Sequence, residues 1–167
     1  MRIFAEIEPV YILGDFAVAP EEKGWSISAP VNAFTLGSWK EQKQPFYSYD
    51  FKYSQSYDLT EVSGTYFVAL GKWTGTVAEV FVNGTKAGII AFDPYRLNVT
   101  SYLQEGNNQI DVYVIGSHKN LLGPHYNNPA PGLASPWHWK NISAQIPGLE
   151  YQMIDYGLME EFFLLGN

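Results

Sequence analysis

The dipeptide Asn83-Gly84 lies between two β-rich runs, Ala78-Glu79-Val80-Phe81-Val82 and Thr85-Lys86-Ala87-Gly88-Ile89-Ile90-Ala91. Both residues tolerate positive φ, which a type I′ turn requires at its two central positions, so the pair predicts a β-hairpin. Alternation in the first run puts Val80 and Val82 on one face and Glu79, Phe81 and Asn83 on the other. A hairpin with one apolar face has to bury that face against a second layer. The expectation is therefore an all-β, antiparallel sandwich.

The next residues narrow this. Phe92-Asp93-Pro94-Tyr95-Arg96-Leu97-Asn98-Val99-Thr100-Ser101-Tyr102-Leu103 leads to Gly106-Asn107-Asn108 and then to the alternating run Gln109-Ile110-Asp111-Val112-Tyr113-Val114-Ile115. A half-turn or short helix is expected over residues 99–103, capped by Asn98 or Thr100. A turn and a further strand follow it. This succession of apolar strand, Asn-Gly, Ala-Gly, Pro-Tyr, Asn-Val-Thr, Glu-Gly-Asn-Asn and alternating strand resembles the sugar-binding jelly-roll domain of glycoside hydrolase family 2. Related large bacterial glycoside hydrolases carry similar domains, of galactose-binding-like fold. The resemblance is densest over residues 37–125 and looser over the rest of the chain. It implies an antiparallel jelly-roll β-sandwich that is a non-catalytic, carbohydrate-binding accessory domain in polysaccharide degradation. Its implied partners are carbohydrate and the catalytic domain of a parent enzyme, in a secreted or periplasmic setting.

A chain of 167 residues predicts one domain spanning 1–167. Apolar residues make up 46% and charged residues 16%, enough to build a core and too apolar for a disordered chain. The formal charge of −7, without a basic cluster, argues against nucleic acid and anionic membranes as partners. There is no Cys, which excludes disulfides and thiolate metal sites. No apolar run is long enough to span a bilayer. Glu6 and Glu8 fall where a signal peptide would be apolar, consistent with either an excised piece or an intracellular chain.

Taken in order, residues 9–18 read as a strand interrupted at Gly14-Asp15, residues 20–24 as a turn, and residues 25–29 as a second strand. Residues 46–59 form a long run in which Tyr47, Tyr49, Phe51 and Tyr53 share a face by period two. Residues 65–70, nearly all apolar, read as a central strand covered on both faces, and residues 71–75 as a turn. The sandwich is expected to hold about eight to ten strands. Residues 116–148, rich in Gly and Pro, lose all periodicity; so long an irregular loop is usually functional or mobile. Strand-like stretches return at 151–158 and 162–165, and the last strand is expected to pair near the first.

No catalytic constellation emerges. Glycoside hydrolysis needs two carboxylates flanking the bond, and the acids here sit mostly in turns or near the C-terminus. In the family resembled, catalysis belongs to a separate barrel domain. His118, His125 and His138 have spacings that fit no compact metal motif. Several galactose-binding-like modules carry a structural calcium, but no dense Asp cluster is present, so no cofactor and no metal is assigned. The long loop carries the candidate site. Asn120-Leu121-Leu122-Gly123-Pro124-His125-Tyr126 resembles a motif following the last jelly-roll strands in rhamnosidase-type enzymes. Further on, Ser135-Pro136-Trp137-His138-Trp139-Lys140 sets two Trp around a His. The candidate sugar-binding residues are His118, His125, Tyr126, Trp137, His138 and Trp139. Their rings suit the apolar faces of a sugar and their polar atoms its hydroxyls. The other reading is that the loop plugs the end of the sandwich or docks on a neighbouring domain. Trp39 and Trp73 are expected to cap the core, and Arg96 to pair locally with Asp93.

Overall fold

The computed structural model describes residues 10–126, 135–136 and 146–167. In chain order the strands are β1 (Ala17–Glu21), β2 (Gly24–Ser28), β3 (Asp50–Leu59), β4 (Tyr66–Leu70), β5 (Trp73–Thr74), β6 (Val77–Val82), β7 (Thr85–Ile90), β8 (Arg96–Asn98), β9 (Gly106–Ile115), β10 (Gly157–Leu158) and β11 (Phe162–Gly166). One helical turn, α1 (Lys119–Leu122), follows β9. Eleven strands are thus present among the described residues; the excess over eight to ten lies in the two-residue strands β5 and β10.

Asn83 and Gly84 take φ of +50° and +78° and close the β6–β7 hairpin as a two-residue turn between Val82 and Thr85. All strand pairings are antiparallel, and they form a four-stranded sheet in the order β3-β9-β6-β7 and a three-stranded sheet in the order β11-β4-β8. Register builds the core. Tyr53 lies opposite Val112, and Val112 opposite Val80, so one row of side chains crosses three strands on one face. The alternation is strict: Ala78, Val80 and Val82 of β6 and Ile110, Val112 and Val114 of β9 are all fully buried. Val68 and Phe162 from the other sheet, with Leu158 of β10, close the sandwich. Each fully buried aliphatic or Phe side chain contributes roughly 1.5–3 kcal/mol, so this layer is the main source of stability. The fold is an antiparallel β-sandwich.

Asn108 is the polar exception in this core. It is fully buried, and all four of its hydrogen-bonding positions are used. Its amide donates to the Gln104 carbonyl (2.7 Å) and the Gly106 carbonyl (3.0 Å), and its Oδ1 accepts from Gln104 N–H (2.9 Å) and Asn83 Nδ2 (3.0 Å). Asn83 in turn accepts from Gln109 N–H through its side chain (2.9 Å). The turn residue chosen for its φ therefore also ties the hairpin to the β8–β9 connection. That connection holds the expected helical turn, a 3-10 turn at Thr100–Tyr102. Asn98 Oδ1 receives both the Thr100 N–H (3.0 Å) and the Thr100 hydroxyl (2.8 Å), but the N-cap position itself is held by Val99, without a side-chain capping bond.

Several local expectations are corrected. Residues 10–16 form no strand; β1 begins only at Ala17 and pairs with β2 alone. β11 pairs with β4, not with β1, because its apolar residues are needed over the core beside Val68, while the β1–β2 hairpin packs elsewhere. The long aromatic run is strand only from Asp50. Phe51 and Tyr53 face the core as expected, but the turn before Asp50 breaks the period and leaves Tyr49 73% exposed. β4 is central, yet only Val68 is fully buried on it. The turn at 71–75 contains β5, which pairs with β10. Trp39 does more than cap the core: it is 2% exposed and donates its indole N–H to Tyr53 Oη at 2.9 Å. Arg96 makes no ion pair with Asp93; its guanidinium lies 5.0 Å over the Phe67 ring.

Candidate functional site

The stretch after β9 is anchored by Asn120. Its side chain is 2% exposed and clamps the backbone of Ile154, donating Nδ2 to the carbonyl and accepting the N–H through Oδ1, each at 2.8 Å. This ties α1 to the segment leading into β10. The clamp positions His125. Its Nε2 lies 2.7 Å from the Asn120 carbonyl, an acceptor only, so Nε2 carries the proton. The His125 carbonyl accepts from Gln152 N–H at 2.8 Å.

The half-buried His125 ring stacks on Tyr151, with centroids 5.0 Å apart and planes 24° apart. Phe46 meets His125 edge-on at 5.9 Å, and Trp25 meets Phe46 at 4.9 Å and Tyr151 at 5.4 Å. These rings form a small aromatic core of their own, outside the main sandwich. The 3-10 turn Gly148–Glu150 joins it to β1 and β2 by close backbone approach. A Cβ on Gly148 would lie 2.2 Å from the Gly24 carbonyl oxygen, so only glycine fits.

Beside these rings is a cleft of about 310 Å³. Trp25 and Tyr151 form its aromatic wall, Leu149 its apolar lip, and Lys40, Glu41 and Lys43 its polar rim. The Trp25 indole N–H is buried without a hydrogen-bond partner. At the rim, Lys40 pairs with Asp155 at 2.9 Å, and Ser38 donates to the same carboxylate at 2.9 Å. Burial works against the Asp155 charge, but the hydrogen bonds from Lys40 and Ser38, with the Lys40 charge, outweigh it and hold the carboxyl below its ordinary pKa.

His118 lies apart from His125. It is exposed, directly precedes α1, and lines a second cleft of about 340 Å³ with Ser48, Tyr49, Asp50, Ile115 and Gly116. The β3–β9 register places these residues together, since Asp50 is opposite Ile115 and Gly116 N–H donates to the Tyr49 carbonyl at 3.0 Å. Behind it, the Tyr47 hydroxyl is raised in pKa first by burial and then by the negative charges of Asp50 and Tyr49. A broader groove of about 480 Å³ runs past Phe34, Tyr47 and Phe51, the latter two packed on the main core.

Of the residues singled out in the sequence, then, His125 and His118 fall in different places. Tyr126 is half-buried and partnered beside His125. Trp137, His138 and Trp139 lie outside the described residues. Sequence reasoning missed Trp25, Phe46 and Tyr151, which come from three distant parts of the chain, and Tyr49. The only signal for the last was its place at the mouth of the aromatic run. Among the described residues no group of three or more His, Asp or Glu is placed to hold a metal ion. No described helix is long and apolar enough to cross a membrane.

The fold has solved counterparts. A rhamnosidase from Novosphingobium sp. PP1Y superposes with a TM-score of 0.52 and 19% identity over 96% of this chain, and over 16% of its own. A β-D-mannosidase from Dictyoglomus thermophilum gives a TM-score of 0.45 and 18% identity over 92% of this chain and 22% of its own. A β-glucuronidase from Bifidobacterium dentium gives 0.40 and 20% over 60% and 18%. No protein-family model matches the chain, and no curated protein matches it in sequence. The fold is thus shared with a segment of the rhamnosidase, and this chain spans only about a sixth of that enzyme's length (16%).

Proposed function

We propose that the chain is a single β-sandwich domain, residues 1–167, that acts as a non-catalytic accessory domain of a larger glycosidase and binds carbohydrate. The observation that carries this reading is the cleft walled by Trp25 and Tyr151 and rimmed by Lys40, Glu41 and Lys43. Aromatic faces suit the C–H faces of a sugar ring, and charged rim groups suit its hydroxyls. His125 stacks on one wall of that cleft and belongs to the Gly- and Pro-rich stretch of sequence that also carries Trp137, His138 and Trp139. In this reading His125, Tyr126, Trp137, His138 and Trp139 contribute further sugar contacts at this cleft, whereas His118 lines a separate one. The small share of the rhamnosidase that the fold covers favours an accessory role, since the remaining 84% of such an enzyme has room for its catalytic machinery.

A second reading is supported by a different observation. Val10, Tyr11, Ile12 and Leu13 are 92%, 76%, 65% and 92% exposed, four large apolar side chains in succession. Such a run is suited to cover by a neighbouring domain, which would make the chain a buttress for a catalytic domain without a ligand of its own.

Tryptophan fluorescence titration against a polysaccharide panel and the methyl glycosides of rhamnose, mannose, galactose and glucuronic acid separates the two. A saturable change that Tyr151→Ala or Trp139→Ala abolishes, in variants that remain folded, supports binding. Absence of any response across the panel refutes it and favours the buttress.

A further inference from the structure

We propose that the cleft at the head of β3 is a second carbohydrate subsite, separate from the one beside Trp25. It holds a single sugar unit against the Tyr49 ring, with the Asp50 carboxylate accepting hydrogen bonds from neighbouring hydroxyls and His118 contacting another. The proposal rests on the carbohydrate-binding reading above and adds a location and residue roles to it.

The aromatic residues around Tyr49 are engaged in packing: Tyr47, Phe51 and Tyr53 all lie against the main core. Tyr49 alone among them turns outward, at 73% exposed. An exposed ring at a fixed position offers a flat apolar face at little conformational cost, because Tyr has only two side-chain torsions to fix. The backbone around it is held on every side. Gly116 N–H donates to the Tyr49 carbonyl at 3.0 Å, Thr76 N–H to the Ile115 carbonyl at 2.7 Å, and the Thr76 hydroxyl to the Gly116 carbonyl at 2.9 Å. The Tyr47 hydroxyl donates to the Asp50 carbonyl at 3.1 Å.

The side chains are the opposite. Ser48, Tyr49, Asp50 and His118 line the cleft, and among the described residues none of their polar side-chain atoms has a hydrogen bond or ion pair. Rigid backbone with unspent polar side chains around an aromatic face is the arrangement a sugar needs, since it presents C–H faces and hydroxyls together. The volume, about 340 Å³, falls at the lower end of the range for small-molecule clefts, which suits one sugar unit. A divalent cation is less well served: Asp50 and His118 supply one carboxylate and one imidazole, short of the six to eight oxygens of calcium or the four ligands of zinc.

The test is a ¹⁵N–¹H NMR titration of the full chain with the methyl glycosides of rhamnose, mannose, galactose and glucuronic acid. The expected result is saturable shifts at the amides of Tyr49, Asp50, Gly116 and His118 with at least one sugar. Tyr49→Ala and Asp50→Ala are each expected to weaken that binding about tenfold or more, while Tyr49→Phe stays within about threefold of the parent. Both positions are exposed, and the spectrum itself reports whether each variant is folded. Shifts confined to residues around Trp25 and Tyr151, with affinity unchanged by Tyr49→Ala, would overturn the second subsite and leave the carbohydrate reading standing. No saturable shift anywhere with any of the sugars would overturn both.

Discussion

Replacing Asn108 with Ala removes a side chain that makes four hydrogen bonds while fully buried. A typical intramolecular hydrogen bond is worth roughly 0.5–1.5 kcal/mol net, and a buried group left unpaired costs about 1–3 kcal/mol. The partners do not all stay dry. Gln104 is exposed and Gly106 half-buried, so water recovers part of the loss at their backbone atoms. Asn83 Nδ2 keeps its bond to the Tyr102 carbonyl at 3.3 Å. The expected destabilisation is therefore about 3 kcal/mol, well below the sum of four full losses. Urea unfolding followed by far-UV circular dichroism, with unchanged m, measures it. Asn108→Asp sharpens the test. It keeps the two accepted bonds but turns a carboxylate toward the Gln104 and Gly106 carbonyls, so its folded pKa rises above the unfolded value of about 3.9. The folded state then binds the proton more tightly, and stability falls as pH rises through that window. The Asp variant is expected to be less stable at pH 7 than at pH 4 relative to the parent. A cost below about 1 kcal/mol for Asn108→Ala, or a pH dependence of the opposite sign for the Asp variant, refutes the view that this residue holds the two connections together.

Three further outcomes follow from the same geometry. Gly148→Ala forces a Cβ to within 2.2 Å of the Gly24 carbonyl oxygen and 2.7 Å of Pro20 Cα, both backbone atoms, so the 3-10 turn has to leave the β1–β2 hairpin; a loss of more than about 2 kcal/mol with a red-shifted Trp emission is expected, and parent-like emission would contradict it. Asn120→Ala strips both partners from the Ile154 backbone and is expected to lower stability by about 2 kcal/mol and speed hydrogen exchange at the Ile154 amide. Lys40→Met removes the partner that lowers the Asp155 pKa; because the folded carboxyl titrates below the unfolded one, its contribution is present above about pH 4 and lost as pH falls through the folded value. The variant's stability should be flatter through that acid range, by under about 1 kcal/mol since Asp155 is half-exposed, and an unchanged acid limb in urea titrations would count against the pairing.

The sandwich was legible where local rules and the tertiary fold agree. Asn83-Gly84 specifies its turn by backbone sterics alone, and the Val80, Val82 and Val112, Val114 alternation names the buried face before any partner is known. Asn98 and Thr100 announce their turn because the bond between them at its start spans only two residues. The resemblance to glycosidase accessory domains likewise rests on ordered local motifs, and the β-sandwich it implies is a fold shared with a segment of the rhamnosidase.

What was not legible depended on contacts remote in sequence. Tyr47, Tyr49, Phe51 and Tyr53 look equivalent by periodicity, yet a turn before Asp50 sends Tyr49 to solvent and keeps the others in. Arg96 stands three residues from Asp93, but the guanidinium finds the Phe67 ring across the β4–β8 pair instead. His118 and His125 are seven residues apart on either side of α1; the Asn120 clamp on Ile154 and the stacking on Tyr151 hold His125 away from the cleft that His118 lines. The residues of a β-strand know their face from period two, but not which strand will lie opposite. That choice is made by long-range pairing, and here pairing decided that β11 joins β4, that Trp25, Phe46 and Tyr151 meet, and where a ligand has room to sit.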